Sequence, residues 1–431
     1  MKLNQFLVAA ALAATAAAVT VEADGVTLKV DQVRQRYPWN GLVDIDYTIT
    51  ADSEPPLGID DNLEVTMIDH AVEPAVTNRA YCFLQGMLPL TPGRHRITWD
   101  ANTDGVTNYT EQAEIRLKIV HYVEAYMVIN VKAGSGDDAI YPVDFLNGAL
   151  QGSFNTDEYK GDKIVLRRIH PGSYLAGSPS DEANHSDATE KQHRVALTKP
   201  FYIGVFEVTQ QQYVNVMGSN PSKNQGDLWQ YRPVDSTIYQ SIRAGDWPTT
   251  TEPAAKSFVG KLLQKCRAKD ENGTYALPVT GFDLPTEFQW EYACRAGTTG
   301  AFNTTNEYDN TSATAHQTQL DRLGRNPNNQ KLGAGGVYVG HTVVGSYEPN
   351  AWGLYDMHGN VFELCRDWWT EDVAALGQYV DPKGAKNGSN RVLRSGSPYY
   401  GFSSCRSAAR RLGGLDWVPD TAGFRLSRDL P

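Results

Sequence analysis

The stretch YDMHGNVFELCRDWW, from Tyr355 to Trp369, crowds carboxylates, a His-Gly-Asn bend, a cysteine and two tryptophans into one short segment. It could serve as an active site, as a metal site, or as the hub of a core. Asp356 and Glu363 supply hard oxygens, and Gly359 with Asn360 supplies a turn that lets main-chain carbonyls join them. Calcium asks for such a mixture of carboxylates and carbonyls. His358 has no HxxxH or HExxH partner and reads as a surface or turn residue. Phe362, Trp368 and Trp369 read as core.

Chemistry elsewhere is sparse. Cys82, Cys266, Cys294, Cys365 and Cys405 are odd in number and widely spaced, so they form neither a disulfide scaffold nor a CxxC zinc cluster. No nucleophile-elbow sequence supports a Ser/His/Asp hydrolase. Net charge is −11 and the pI about 5.3, which excludes the clustered positive face that nucleic acid requires.

The elements that must position these residues fall into two compositions. From Gly25 to Val131 the chain shows VTLKV, GLVDIDYTI, LEVTMI, RAYCFL, GRHRITWDA, AEIRLKIV and AYMVINV, short strand-like runs parted by Gly, Pro, Asp and Asn. Such a series predicts an immunoglobulin-like sandwich over residues 24–132. Asp44 and Asp46 alternate with apolar neighbours and belong on its solvent face, although a calcium role for that pair is the other reading. Residues 133–160 read as a linker. Beyond it, residues 161–431 are rich in aromatics and glycine. Helices are predicted at TQQQYVNVMG, capped by Thr209 and closed by Gly218, at TEFQWEYACRAG, capped by Thr286, and across EPAAKSFVGKLLQKCRAK.

At the N-terminus, Lys2, the apolar run Phe6–Val19 and the Val21-Glu22-Ala23 ending resemble a secretory signal over residues 1–23. This predicts a secreted, periplasmic or cell-surface protein with no transmembrane segment after cleavage.

Seven stretches then occur in one order: GSYLAGSP, HRVALTKPFYIGVFEVTQQQYVNVMGSNPS, LPTEFQWEYACRAGT, NAWGLYDMHGNVFELCRDWW, RVLRSGS, CRSAAR and AGFRL. Together, over Lys163 to Leu426, they resemble the sulfatase-modifying factor family, also called the formylglycine-generating enzyme family. The resemblance implies an irregular C-type-lectin-like fold, so the whole chain is expected to be α+β. It also implies that the opening stretch is a calcium loop, with Asp356 and Glu363 acting through side chains and Gly359 and Val361 through carbonyls. The family usually has Asn where Asp356 stands.

Formylglycine-generating enzymes oxidise a substrate cysteine to an aldehyde and use two of their own cysteines to hold copper(I), an ion suited to soft thiolates. In them the first cysteine lies three residues after the Ser of a Gly-Gly-Ser motif and the second five later. Here the text is RSGSPYYGFSSCRSAARR, so Tyr400 stands in the first place and Cys405 in the second. The sequence therefore argues against copper and against an assigned catalytic residue. The family's iron-dependent sulfoxide synthesis needs a histidine triad, and none of the nine histidines is clustered. Cys365 and Cys405 are either buried thiols or a disulfide. Cys294, whose family partner would fall at Ser407, competes for Cys405, and Cys365–Cys405 is the favoured pair.

Tyr399, Tyr400, Phe402, Arg410, Arg411 and Trp417 fall in the family's ligand-facing region and offer an aromatic, cationic recognition surface. The other reading is that half of these rings fill the core, with Arg406 and Arg410 structural. The expectation is a non-catalytic, calcium-stabilised binding or surface protein with a protein or glycan ligand. A metal-dependent oxidase with a divergent site is the alternative.

Overall fold

The computed structural model describes residues 21–430 apart from 24–25, 37–39, 52–59, 85–87, 107–112, 133–138, 149–152, 305–311, 330–339 and 416–419. Most of the expected signal segment, and Trp417, lie outside the described residues. The chain forms two compact units. The first runs to Tyr122 and includes Gly172–Tyr174; the second comprises Val123–Pro171 and Leu175–Pro431.

The first unit is all β. One antiparallel sheet has the order Val21–Ala23, Val26–Gln35, Leu42–Ala51, Gly93–Asp100, and another the order Val76–Ala80, Asp61–Asp69, Ala113–His121. Residues of both sheets, among them Ile45, Tyr47, Trp99, Val65 and Leu117, share a single apolar core. The period of two explains the pattern at Val43–Tyr47, where Val43, Ile45 and Tyr47 point inward and the aspartates outward. Asp44 pairs with Arg36 at 2.9 Å, while Asp46 accepts from Arg34 at 2.9 Å and Arg96 at 2.5 Å. Both carboxylates are thus matched across strands by arginines.

The second unit is mixed α+β. Its larger sheet has eight strands in the order Tyr275–Pro278, Cys266–Lys269, Tyr141–Leu146, Tyr126–Asn130, Lys163–Ile169, Phe201–Gly204, Ser427–Asp429, Phe282–Asp283. The run AYMVINV, expected as the last sandwich strand, belongs here instead. Tyr126, Met127, Val128 and Ile129 are all buried, as a strand covered on both faces demands, whereas the sandwich strands alternate. The unit boundary therefore falls after Tyr122 rather than at 132. The expected linker 133–160 contains the strand Tyr141–Leu146 and the short helix Asp157–Gly161.

The helix Gln210–Met217 starts at Thr209 and ends at Gly218, whose φ of 87° closes it. The helix Glu287–Arg295 starts at Thr286. In both, the Thr hydroxyl accepts from a Gln N–H three residues on, and that Gln reaches back to the cap. The third expected helix is shorter, Phe258–Lys265 capped by Ser257, and its CRAK tail becomes a strand of the large sheet. A four-stranded sheet, in the order Arg411–Gly414, Asn390–Arg394, Phe362–Trp368, Ala422–Gly423, carries the opening motif. Among the described residues no helix is long and apolar enough to cross a membrane.

Thr286→Ala should destabilise the protein by about 1 kcal/mol in urea unfolding, through loss of the cap to Gln289. Thr286→Ser should stay close to the parent.

Candidate functional site

Every residue of the strand Phe362–Trp368 is buried. Phe362 and Leu364 enter the main apolar core, while Glu363 turns to a polar layer. Arg425 grips both of its oxygens, Nε to Oε2 at 2.6 Å and Nη2 to Oε1 at 2.7 Å, and the Trp290 indole donates to Oε2 at 2.8 Å. Asp356 and Asn360 adopt left-handed backbone, with φ of 57° and 63°. At Gly359 a Cβ would lie 2.3 Å from the Arg325 carbonyl oxygen, so only glycine fits the bend. Asp356 Oδ2 accepts from the Gly345 N–H at 2.6 Å, and its buried Oδ1 has no hydrogen-bond partner. Burial raises the Asp356 carboxyl to about 6. Beside it lies Glu207, which holds Asn360 Nδ2 at 2.6 Å and the Val361 N–H at 3.2 Å; burial, then the Asp356 charge, pushes it well above the ordinary range.

These residues fit a calcium ion only in part. Asp356 Oδ1 is an orphan oxygen of the right kind. Glu363, however, is already neutralised by Arg425, and the Gly359 carbonyl accepts from Ser395 Oγ at 2.8 Å. Among the described residues no cluster of three or more His, Cys, Asp or Glu could hold a metal.

His358, expected as a surface or turn residue, lies in the bend but not at the surface. It is buried and pins two loops: Nδ1 donates to the Cys405 carbonyl at 2.8 Å, and Nε2 accepts from the Asn303 N–H at 3.3 Å. Burial drops its pKa to about 4, so it works as a neutral imidazole. The expected Cys365–Cys405 bond is not formed either, since all five cysteines are free and buried. The surroundings of the pair explain this. Cys405 joins a small apolar cluster with Phe302, Leu320 and Leu323, while Cys365 faces the buried charges of Asp367, Arg394 and Glu287. Cys294 lies against His358 Nε2 at 3.7 Å and Ser407 Oγ at 3.8 Å. Burial pushes the Cys405 and Cys294 thiols up to about 12.

The expected ligand surface is divided by the structure. Tyr399 is 41% exposed. Tyr400 is half-buried, its ring 5.2 Å from Phe362 and covered by the Arg411 guanidinium at 4.2 Å. Phe402 packs on His316. Arg410 is structural: Nε and Nη2 hold Glu287 at 2.6 and 3.0 Å, Nη1 donates to the Thr189 and Glu371 carbonyls, and the guanidinium lies 4.7 Å over Trp369. Arg411 is exposed. Next to it opens a groove of about 710 Å³ lined by Thr189, Trp369, Arg410, Arg411, Leu412 and Gly414. Trp369, read from the sequence as core, is a wall of this groove. Leu412 and Thr189 were not anticipated. The only signal for Leu412 was an apolar residue between two arginines and two glycines.

The fold and site define an α+β domain built around buried arginine–carboxylate pairs, with an arginine- and aromatic-lined groove. Residues 151–430 match the sulfatase-modifying factor enzyme 1-like domain, and the chain belongs to that family. It is 36% identical over 282 residues to the formylglycine-generating enzyme of Streptomyces coelicolor, covering 61% of this chain and 88% of that one. It is also 36% identical over 156 residues to the formylglycine-generating enzyme of Thermomonospora curvata, but there the match spans only 50% of the relative and 35% of this chain. Among solved structures, Treponema denticola variable protein 1 aligns with a TM-score of 0.46 at 24% identity, over 62% of this chain and 96% of that one.

One buried carboxyl gives a pH-dependent expectation. Asp367 accepts the Glu287 N–H at 2.8 Å, and burial followed by the Glu287 charge raises it to about 7. A carboxyl raised by folding stays protonated in the native state while the unfolded chain ionises. It therefore lowers stability as pH climbs from about 4 to about 7. Asp367→Asn should melt a few degrees above the parent at pH 8 and lose that advantage at pH 4, measured by circular dichroism.

Proposed function

We propose that this chain is an exported, non-catalytic binding member of the sulfatase-modifying factor family. It joins an immunoglobulin-like sandwich to a C-type-lectin-like domain and takes its ligand at the groove lined by Trp369, Arg411 and Leu412. One observation carries the reading: the place for the first copper-binding cysteine is Tyr400, packed between Phe362 and Arg411, which leaves Cys405 as the single thiol of the pair. Copper(I) in the family's chemistry needs two thiolates, and one cysteine beside a phenol supplies a single thiolate at most. The groove walls support the same reading, because a tryptophan, two arginines and a leucine suit recognition better than redox turnover.

The purified protein, supplied with copper, should leave a cysteine-containing peptide unoxidised. Formation of an aldehyde that requires copper and vanishes in Cys405→Ser would establish the alternative, an oxidase with a divergent site.

Calcium enters this proposal as a stabilising ion on Asp356 Oδ1 and the carbonyls of Gly359 and Val361, with Glu363 mainly serving Arg425. Chelation should lower the melting temperature in the parent but not in Asp356→Ala. Equal sensitivity in both proteins would remove the ion from this loop.

A further inference from the structure

The strand Arg411–Gly414 is outermost in its four-stranded sheet. Its inner edge pairs with Asn390–Arg394, and no described strand pairs with its outer edge. An outer strand is a template for another unless proline, a bulge or an inward charge blocks it. The text Arg-Leu-Gly-Gly contains no proline and no inward charge; the strand is short, and its accessible part is Arg411 and Leu412 with the half-buried Gly414, Gly413 being buried. Gly413 has a packing reason of its own, since a Cβ there would meet Leu393 at 3.0 Å.

The second observation is Arg411 itself. Its guanidinium rests over two rings, 4.2 Å from Tyr400 and 5.6 Å from Phe362, and Nη2 donates to the Tyr400 hydroxyl at 3.2 Å. Among the described residues it has no carboxylate partner, while its neighbour Arg410 is fully engaged by Glu287. A guanidinium already held against an aromatic ring has little further freedom to lose, and its remaining N–H groups suit a carboxylate. The third observation is apolar surface at the same edge: Leu412 is 49% exposed, and with Trp369 it lines the groove.

We propose that an extended acidic peptide adds to the outer edge of Arg411–Gly414 as a fifth strand. This rests on the binding reading above and names its ligand class. Side chains of an added strand alternate, so an acidic residue meets Arg411 and its apolar neighbour meets Leu412 and Trp369. Main-chain hydrogen bonds supply the register and the arginine supplies the charge preference. A sulfated glycan would use the Arg411 guanidinium but neither the strand edge nor Leu412.

The test is fluorescence anisotropy on the full chain with a labelled peptide of alternating valine and glutamate. Binding should weaken with salt, fall about tenfold or more in Arg411→Gln, and fall less in Arg411→Lys, as expected for a charge-assisted pair. Methylating alternate backbone nitrogens of the peptide should abolish it. Arg411 is exposed, so these variants should keep the parent's circular dichroism spectrum. Undiminished binding by the methylated peptide or by Arg411→Gln overturns strand addition at this edge. Binding of a heparin oligosaccharide in place of the peptide, or of neither, overturns the peptide assignment. Only copper-dependent turnover would overturn the non-catalytic reading itself, so the two failures are distinguishable.

Discussion

A guanidinium taken out of water must find its carboxylate, and in the second unit that requirement is met repeatedly around the helix Glu287–Arg295. Glu291 holds Arg394 at 2.9 Å and Arg295 at 2.8 Å, and it also accepts the Gly177 N–H at 2.9 Å. Burial alone would raise its carboxyl, yet Arg295 and Arg394 keep it below the ordinary value. One turn earlier, Glu287 holds Arg410 and lies 3.4 Å from Arg394. Such pairs contribute little net stability over an apolar core of the same volume, but removing one partner costs about 3–5 kcal/mol because a bare charge stays behind. They act as specifiers. The helix, the strand Asn390–Arg394 and the loop carrying Arg410 satisfy their charges in this mutual arrangement.

The same logic organises the motif from Tyr355 to Trp369. Along the strand Phe362–Trp368, Phe362 and Leu364 face the apolar core while Glu363, Cys365 and Asp367 face buried charge. Period-two alternation sorts the start of the strand into packing and charge pairing; beyond Leu364 the register shifts, and Arg366 pairs with Asp283 and Asp429. Arg425 completes the charge pairing by capping Glu363 and donating to the carbonyls of Gly204 and Tyr355. The loop before the strand bends through Gly359 and left-handed Asp356 and Asn360, and Glu207 ties down the Asn360 side-chain amide and the Val361 N–H.

Local chemistry of this kind was legible in the sequence. Thr209, Gly218 and Thr286 mark helix ends because caps are short-range, and the sandwich strands were readable because one wet face enforces alternation. Tyr400 in the place of a thiolate was a matter of counting. The rest depended on distance along the chain. Arg406 pairs with Glu190 across 216 positions and Arg425 with Glu363 across 62, and neither end carries a local mark of its partner. His358 looked like a turn residue because its two partners, the Cys405 carbonyl and the Asn303 N–H, are backbone groups that sequence cannot distinguish. The run AYMVINV showed its burial in composition, but which sheet would bury it was a question of topology.

Neighbouring arginines show how buried pairing and exposure separate in this fold. Arg410 and Arg411 are adjacent on the chain, yet the strand geometry sends the first onto Glu287 and leaves the second over Tyr400, open to solvent. The loop from Ser397 to Cys405 lies beside the charge lattice without contributing a carboxylate or guanidinium to it. Replacing a thiol there by a phenol therefore leaves every buried ion pair intact. The Tyr400 ring even adds packing on Phe362 and a platform for Arg411. A scaffold whose order comes from buried charges can thus vary the residues of this loop without a penalty in its charge pairing.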